Sequence, residues 1–158
     1  VWTSAQHPFL VRAELARIFG FQLDAVQISV PYVGGGFGSK SYTKIEPIVT
    51  ALSREAGRPV RVALSVEEAM HTVRRHAAQM TIKTGVKSDG TIMARECTVY
   101  VDTGAYTDNG VRVTERAGDR IPGPYRIPHL KVDSYGIYTN TTPAGSYRAI
   151  GGPQAAWA

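Results

Sequence analysis

The chain has 158 residues, of which 43% are hydrophobic and 20% charged, and it carries a net charge of +5. This length suits one domain with a buried core, and no apolar run is long enough to cross a membrane. The single cysteine, Cys97, excludes an internal disulfide and any metal site built from several cysteines, and it favours a cytoplasmic location. The 18 Lys and Arg residues are spread along the chain, so no nucleic-acid partner is expected. The densest basic cluster, at 74–76, is interpreted as a solvated surface.

The first predicted element is a helix over 8–19, which Pro8 opens and Gly20 ends. Gln6 lies just before this helix. Its side chain either caps the helix or reaches a ligand, and the local spacing alone favours the cap. Alternating apolar residues then predict a short strand over 26–30.

A glycine-rich loop follows this strand, with the sequence Gly-Gly-Gly-Phe-Gly-Ser-Lys at 34–40. Glycine has no Cβ, so its backbone reaches positive φ and can lie directly against a ligand. A helix is predicted behind the loop, over about 43–56. A loop between a strand and a helix directs several backbone N–H groups into one concavity, which suits an anion. The alternative interpretation is a tight turn that binds nothing.

Two phosphate-binding motifs come close to matching this loop. The dinucleotide fingerprint requires a sixth-position glycine, where this chain has Ser39. A Walker A loop requires Gly-Lys-Ser/Thr where this chain has Ser39-Lys40-Ser41. A nucleotide-binding module that uses the degenerate loop 34–41 therefore stays open as an alternative. It would need an aspartate for magnesium, and Asp102 is the nearest candidate.

Turn residues and apolar periodicity predict the remaining elements. In chain order these are a strand over 60–64, a short helix with a capping box from Ser65 to Glu68, a hairpin over 79–101 that turns at Asp89-Gly90 and buries Cys97, a long loop over 102–118, and a strand over 131–139. The expected fold class is α+β, a mixed sheet with packed helices. The helices at 8–19 and 43–56 are expected to pack against the hairpin.

A second glycine loop, Pro-Ala-Gly-Ser-Tyr-Arg-Ala-Ile-Gly-Gly-Pro-Gln at 143–154, leads into the first turn of a helix. Its Arg148 suits bidentate contact with a phosphate or with the edge of a pterin. The alternative for this arginine is a surface ion pair.

Several motifs together resemble the large, molybdopterin-binding subunit of the molybdenum hydroxylases, the xanthine dehydrogenase and aldehyde oxidase family. They are Gly-Gly-Gly-Phe-Gly at 34–38, Tyr-Arg-Ile-Pro at 125–128, Arg-Ala-Ile-Gly-Gly-Pro-Gln at 148–154 and Ser-Ala-Gln-His at 4–7. The resemblance covers essentially the whole chain, in the family's order. The family's large subunits are several times longer. The resemblance therefore implies that residues 1–158 are a partial molybdopterin-binding domain, an internal fragment truncated at both ends.

The resemblance also implies roles for individual residues. Gln6 would contact the molybdenum cofactor, and the backbone of Gly36, Phe37 and Gly38 would lie against the metal's oxo group and the pterin. Arg148 would hold the cofactor from the second loop. No side chain would ligate the metal directly, and the family's general-base glutamate would lie beyond the C-terminus.

Three positions are predicted to belong to the substrate pocket by the same resemblance. Ser41 stands where xanthine-type enzymes have a substrate-binding glutamate, and Ile150 stands where they have an aromatic residue. Arg116 falls where they place a substrate arginine. The first two departures argue against a purine substrate.

The implied parent is a molybdenum-dependent oxidoreductase that oxidises an aldehyde or an N-heterocycle with oxygen derived from water. Its cofactor would be molybdenum-molybdopterin, with the cytosine dinucleotide form as one alternative. Iron–sulfur clusters and FAD are expected on partner subunits or domains, within an oligomer. The fragment alone is expected to be inactive.

Overall fold

The computed structural model describes all residues, Val1–Ala158, and it divides into two compact units, Val1–Thr72 and Val73–Ala158. None of its helices combines the length and the apolar character that crossing a membrane requires. The elements in chain order are α1 (Pro8–Phe19), a 3-10 helix (Leu23–Ala25), α2 (Glu46–Ala56), α3 (Val66–Met70), β1 (Ala78–Val86), β2 (Ile92–Gly104), α4 (Gly110–Arg120), β3 (His129–Tyr138) and α5 (Gly152–Trp157).

In the first unit, α1 packs against α2 and the 3-10 helix. The predicted limits of α1 are confirmed: Pro8 lies in its first turn, and Gly20 ends it at φ 68° with its N–H bonded to the Ala16 carbonyl. Helix α2 begins at Glu46, so Pro47 lies in the first turn, where its missing N–H is not needed. The unit's buried apolar core consists of Ala5, Val11, Leu15, Ala16 and Val26.

The strands predicted over 26–30 and 60–64 do not form, which corrects both expectations. In the first segment only Ser29 pairs, through an isolated bridge to Trp2. Residues 60–64 have no regular structure. Alternating apolar residues make a strand only where a neighbouring strand satisfies the backbone. Residues 26–30 have only the short stretch Val1–Thr3 beside them, and residues 60–64 form no bridge.

The second unit contains a three-stranded sheet in the order β1-β2-β3. Strands β1 and β2 are antiparallel and form the predicted hairpin, while β3 is parallel to β2. The parallel pair requires a crossover, and α4 provides it. The core lies between α4 and the sheet and contains Cys97, Val99, Val101, Val113, Ala117, Ile121 and Ala155. The predicted mixed α+β fold and the burial of Cys97 are thus confirmed.

Helix α4 corrects two expectations. Its segment was predicted to be a loop, because its glycines and threonines have low helix propensity. The structure uses Gly118 for close packing, since a Cβ there would lie 3.0 Å from the Ser134 Cβ. Val113, Ala117 and Ile121, spaced four residues apart, form the buried stripe. Tertiary packing therefore outweighs propensity, and α4 is the helix that covers the sheet, whereas α1 and α2 belong to the first unit.

Candidate functional site: two anchored glycine loops

The first glycine loop is closed around Gln6. The Gln6 Oε1 atom accepts hydrogen bonds from the Gly38 N–H at 3.3 Å and from the Ser41 hydroxyl at 3.1 Å. The Gln6 N–H donates to the Lys40 carbonyl at 2.8 Å. Helix α1 has no side-chain cap, so Gln6 is not the capping residue that its spacing favoured. Backbone and side chain both tie Gln6 to the loop.

Gly36 makes room for this side chain. A Cβ at position 36 would lie 2.2 Å from Gln6 Oε1 and 2.3 Å from its Cδ. Gly36 does not have a positive φ, so freedom of the backbone is not what the position requires. The glycine is needed because the amide of Gln6 fills the space that any other side chain would occupy.

The neighbouring loop residues adopt left-handed backbone conformations, with φ of 67° at Gly34, 108° at Gly35, 52° at Phe37 and 105° at Gly38. For phenylalanine this conformation costs about 1–2 kcal/mol. Phe37 is nevertheless 68% exposed, so burial of this residue does not explain the strain. Residues with strained backbone conformations cluster at active sites and at segments that hold a ligand.

The geometry does not suit the nucleotide-binding alternative. Lys40 Nζ is directed at the Val33 carbonyl, and the Ser41 hydroxyl is directed at Gln6. Helix α2 begins only at Glu46, so the loop does not open a helix, as a Walker A loop does and as the anion-cradle prediction assumed. Asp102, the magnesium candidate, has both carboxylate oxygens occupied by protein donors.

The second glycine loop is anchored at both ends by the segment 74–76. The Arg74 N–H donates to the Pro143 carbonyl at 3.2 Å, and the Gly145 N–H donates to the Arg74 carbonyl at 3.0 Å. At the far end, Gln154 Nε2 donates to the His76 carbonyl at 2.9 Å. The loop is therefore held against a parallel stretch of backbone.

The basic cluster at 74–76 is not a solvated surface, which corrects the sequence interpretation. Arg74 Nη2 lies 2.6 Å from Asp102 Oδ2, and the Arg75 guanidinium lies 4.7 Å from the centre of the Tyr147 ring. His76 is only 3% exposed. Burial raises the pKa of Asp102, but hydrogen bonds from Thr139, Gly104 and Arg74 outweigh this effect and lower it overall.

The tip of the second loop is also strained, with φ of 28° at Arg148, 67° at Ala149 and 68° at Gly151. Arg120 Nη1 donates to the carbonyls of Ala149 at 3.1 Å and Ile150 at 2.6 Å. The Arg148 side chain lies at the surface of this unit. Arg120 thus holds the strained backbone from which Arg148 projects.

Helix α4 supports this loop directly, because Gly151 lies against its backbone. Arg116, on the same helix, has Nη1 3.3 Å from Asp119 Oδ2, and both side chains are at least half exposed. Because both side chains are exposed, this pair contributes little stability and the Arg116 guanidinium is accessible. Ile150 packs partly against the core of the unit. The second unit therefore contains Arg116, Arg148 and Ile150. In the first unit, Gln6 meets Gly36, Gly38 and Ser41, and Phe37 belongs to the same loop.

Sequence reasoning missed His76 and Gln154. Both ring nitrogens of His76 and the Oε1 atom of Gln154 are buried without a hydrogen-bond partner. Burial and the charge of Arg74 lower the pKa of His76, while the Gly145 backbone and the carboxylates of Asp102 and Asp108 act in the opposite direction. Gln154 lies at the end of the second glycine loop, and this position was the sequence signal that could have identified it. Nothing in the sequence marked His76 as buried.

The lowered pKa of His76 predicts acid sensitivity. In the unfolded chain, His76 is protonated near pH 6.5, whereas in the folded chain it stays neutral at this pH because its pKa is lowered. The free energy of unfolding should therefore fall as the pH drops below about 6.5, because the unfolded chain binds up to about one proton more than the folded chain. The fall should end at the pH where the folded histidine takes up its proton. Denaturant unfolding between pH 7.5 and 5 would measure this slope.

The His76→Gln variant provides the control, because glutamine does not titrate. Its unfolding free energy should change less over this pH range than that of the parent. Identical slopes would contradict the assignment. Asp102 contributes to acid sensitivity only at lower pH, because its folded pKa lies below its ordinary value.

The donors at the two loops are backbone N–H groups, an amide and a guanidinium. No group of three or more His, Cys, Asp or Glu side chains in Val1–Ala158 is placed to hold a metal ion. Amides and guanidinium groups recognise anionic and polar ligands. The space beside Gly36 is filled by the Gln6 amide, which brings this amide onto the loop, and an amide together with a guanidinium fits a polar, anionic cofactor better than a bare cation.

Two strained glycine loops, each tied down by side chains of its own unit, characterise this chain. The molybdopterin cofactor-binding domain family matches residues 1–158, the whole chain. The chain belongs to this family, as the resemblance implied.

Curated relatives and a solved structure agree with this assignment. The chain is 34% identical over 158 residues to a xanthine dehydrogenase molybdenum-binding subunit of Escherichia coli, matching 99% of this chain and 21% of the relative. It is 35% identical over 156 residues to the nicotinate dehydrogenase large molybdopterin subunit of Eubacterium barkeri, matching 98% of this chain and 37% of the relative. The aldehyde oxidoreductase of Desulfovibrio gigas superposes with a TM-score of 0.90 at 27% identity, over 98% of this chain and 17% of that chain. The chain thus spans between 17% and 37% of the length of these proteins.

Proposed function

We propose that the protein containing this chain is a molybdenum-dependent oxidoreductase and that the chain supplies part of its cofactor site. Family membership supports the cofactor class. The observation that carries the proposal is the closure of the first glycine loop around Gln6, where a backbone N–H and a buried hydroxyl fix one amide. The chain matches only 37% and 21% of the lengths of two relatives, which supports a chain that forms part of a longer protein.

The residues proposed to contact the cofactor are Gln6, Arg148 and the backbone of Gly36, Phe37 and Gly38. When bound, molybdenum-molybdopterin supplies the centre that accepts electrons from the substrate. The residues of this chain contribute orientation. Gln6 offers an amide, and Phe37 is an exposed residue of the same loop. Arg148 offers a positive, planar donor to an anionic group.

We propose an aldehyde or an N-heterocycle as the substrate, with oxygen derived from water. Relatives and neighbours are named for nicotinate, xanthine and aldehyde, so these classes are the first to test. Arg116 and Ile150 are proposed to face the substrate pocket. Iron–sulfur and FAD-binding partners, an oligomeric assembly, the cytosine dinucleotide form of the cofactor and a cytoplasmic location complete the proposal.

The test is the molybdenum and pterin content of the complete protein, measured by elemental analysis and by pterin fluorescence. The protein should contain both. Arg148→Ala should lower its affinity for the cofactor roughly tenfold or more, because hydrogen bonds to charged groups contribute about 1.5–3 kcal/mol.

Arg112→Ala is the matched control. Arg112 is also an exposed arginine of the second unit, so its removal changes the net charge equally. This variant should retain its cofactor. Absence of molybdenum and pterin from the unaltered protein would refute the proposed function. An Arg148→Ala variant that binds cofactor like the parent would refute the role of Arg148 alone.

A further inference from the structure

His76 is buried where the elements that hold the second glycine loop meet. Only 3% of the residue is exposed, and both ring nitrogens lie inside the unit without a hydrogen-bond partner. A proton on this ring would therefore create a buried positive charge that neither water nor a directly bonded acceptor solvates. The closed structure thus requires the neutral form of the ring.

The charged groups around the ring come from several elements. Burial and the charge of Arg74 lower the pKa of His76, while Asp102 of β2, Asp108 in the turn before α4 and the backbone of Gly145 act in the opposite direction. The N-terminus of α4 adds to the lowering, because the Nε2 atom lies 3.7 Å from the position that a Cβ on Gly110 would occupy, and a helix N-terminus disfavours a positive charge. Asp102 is bonded to Arg74 at 2.6 Å, which compensates its charge.

The backbone of the same short segment carries the anchors of the loop. The Gly145 N–H donates to the Arg74 carbonyl at 3.0 Å, and Gln154 Nε2 donates to the carbonyl of His76 itself at 2.9 Å. Gln154 lies in the first turn of α5, so this second bond fixes the end of the loop. A displacement of segment 74–76 therefore breaks contacts at both ends of the loop.

We propose that His76 is a pH-sensitive switch, which holds the second glycine loop closed while its ring is neutral and releases the loop when the ring is protonated. The charged ring has to reach water, and this requires segment 74–76 to separate from the loop that is packed on it. Opening would also displace Arg148, which the loop carries. The consequence for a bound cofactor rests on the proposed function, whereas the opening of the loop does not.

Proton linkage sets the size of the effect. In the open loop the ring is exposed and takes up a proton near pH 6.5, whereas in the closed loop it does so only at a lower pH. The equilibrium constant for opening should therefore rise up to about tenfold for each pH unit below 6.5, until the closed form also binds the proton. From pH 7.5 to pH 5.5 the expected increase is up to about tenfold.

Hydrogen exchange of the complete protein at pH 7.5 and pH 5.5, corrected for the intrinsic rate of each amide, tests the switch. The bonded amides of Gly145, Gly152 and Ala155 should lose protection up to about tenfold at pH 5.5, and at both pH values they should exchange faster than the amides of the β1–β2 hairpin. In His76→Gln, which does not titrate, this loss should disappear. His129→Gln is the matched control, because His129 is an exposed histidine of the same unit, and it should behave like the parent.

Gln154→Met provides a second variant, in case His76→Gln does not fold. It lacks the bond to the His76 carbonyl, so the amides of Gly152 and Ala155 should exchange faster already at pH 7.5 and respond less to acid. Loop and hairpin amides that share one opening constant, or an acid effect that is equal in the parent, His76→Gln and Gln154→Met, would overturn the inference. The measurement needs no cofactor, so absence of molybdenum from the unaltered protein would refute the proposed function and not the switch.

Discussion

Replacing Gly151 with alanine is expected to lower the free energy of unfolding of the second unit by about 3–5 kcal/mol. A Cβ at this position would lie 2.6 Å from the Val113 carbonyl oxygen and 2.7 Å from the Ala117 nitrogen. Both atoms belong to the backbone of α4, so they cannot turn aside as a flexible side chain would. The φ of 68° adds the cost of a left-handed conformation, about 1–2 kcal/mol for alanine.

Gly90→Ala is the control for the backbone conformation. Gly90 also belongs to the second unit and has a positive φ of 88°, but no atom lies within 4 Å of the position that a Cβ would occupy there. Alanine at 90 should cost only the conformational strain. Urea unfolding of both variants would measure the difference. Equal losses of stability would show that the contact with α4 is not what requires glycine at 151.

The second large effect is expected from Gly36→Ala, and it should appear in cofactor binding. The added methyl group would displace the Gln6 amide, which a Cβ would approach to 2.2 Å. Gln6 is an exposed side chain and can move aside, and Gly36 has no positive φ, so little stability should be lost. The displaced amide would lose its hydrogen bonds from Gly38 and Ser41. Molybdenum and pterin content should fall as far as in Gln6→Ala.

A double-mutant cycle tests this mechanism. Once Gln6 is alanine, Gly36→Ala should have no additional effect on cofactor content, because the methyl group no longer displaces an amide. Thermal unfolding of the single variant should remain close to that of the parent. If Gly36→Ala lowered the cofactor content equally with and without the Gln6→Ala change, Gly36 would contact the cofactor directly.

Local signals in the sequence predicted much of the fold. Proline in the first turn and glycine after the last turn marked α1, and the Ser65–Glu68 capping box marked α3. The Asp89-Gly90 turn between two one-sided strand patterns marked the hairpin. These features depend on interactions among residues close in sequence, so composition and spacing are sufficient to recognise them.

The failures share a different cause. Residues 26–30 and 60–64 have strand patterns without a partner strand, and α4 forms from a glycine-containing segment because the sheet packs against it. His76 belongs to a basic run, yet it is buried. Each outcome depends on residues distant in sequence, which local propensity does not contain.

The residue types at the two glycine loops can be read from the amino-acid sequence: an amide, a phenylalanine, a serine and an arginine lie among glycines, in an order that indicates a molybdopterin-binding family. The reason why each position requires glycine becomes visible in the folded chain. Gly36 admits the side chain of Gln6, and Gly151 admits the backbone of α4. The physical reason is that a glycine indicates missing volume, whereas the group that occupies this volume is brought there by the fold.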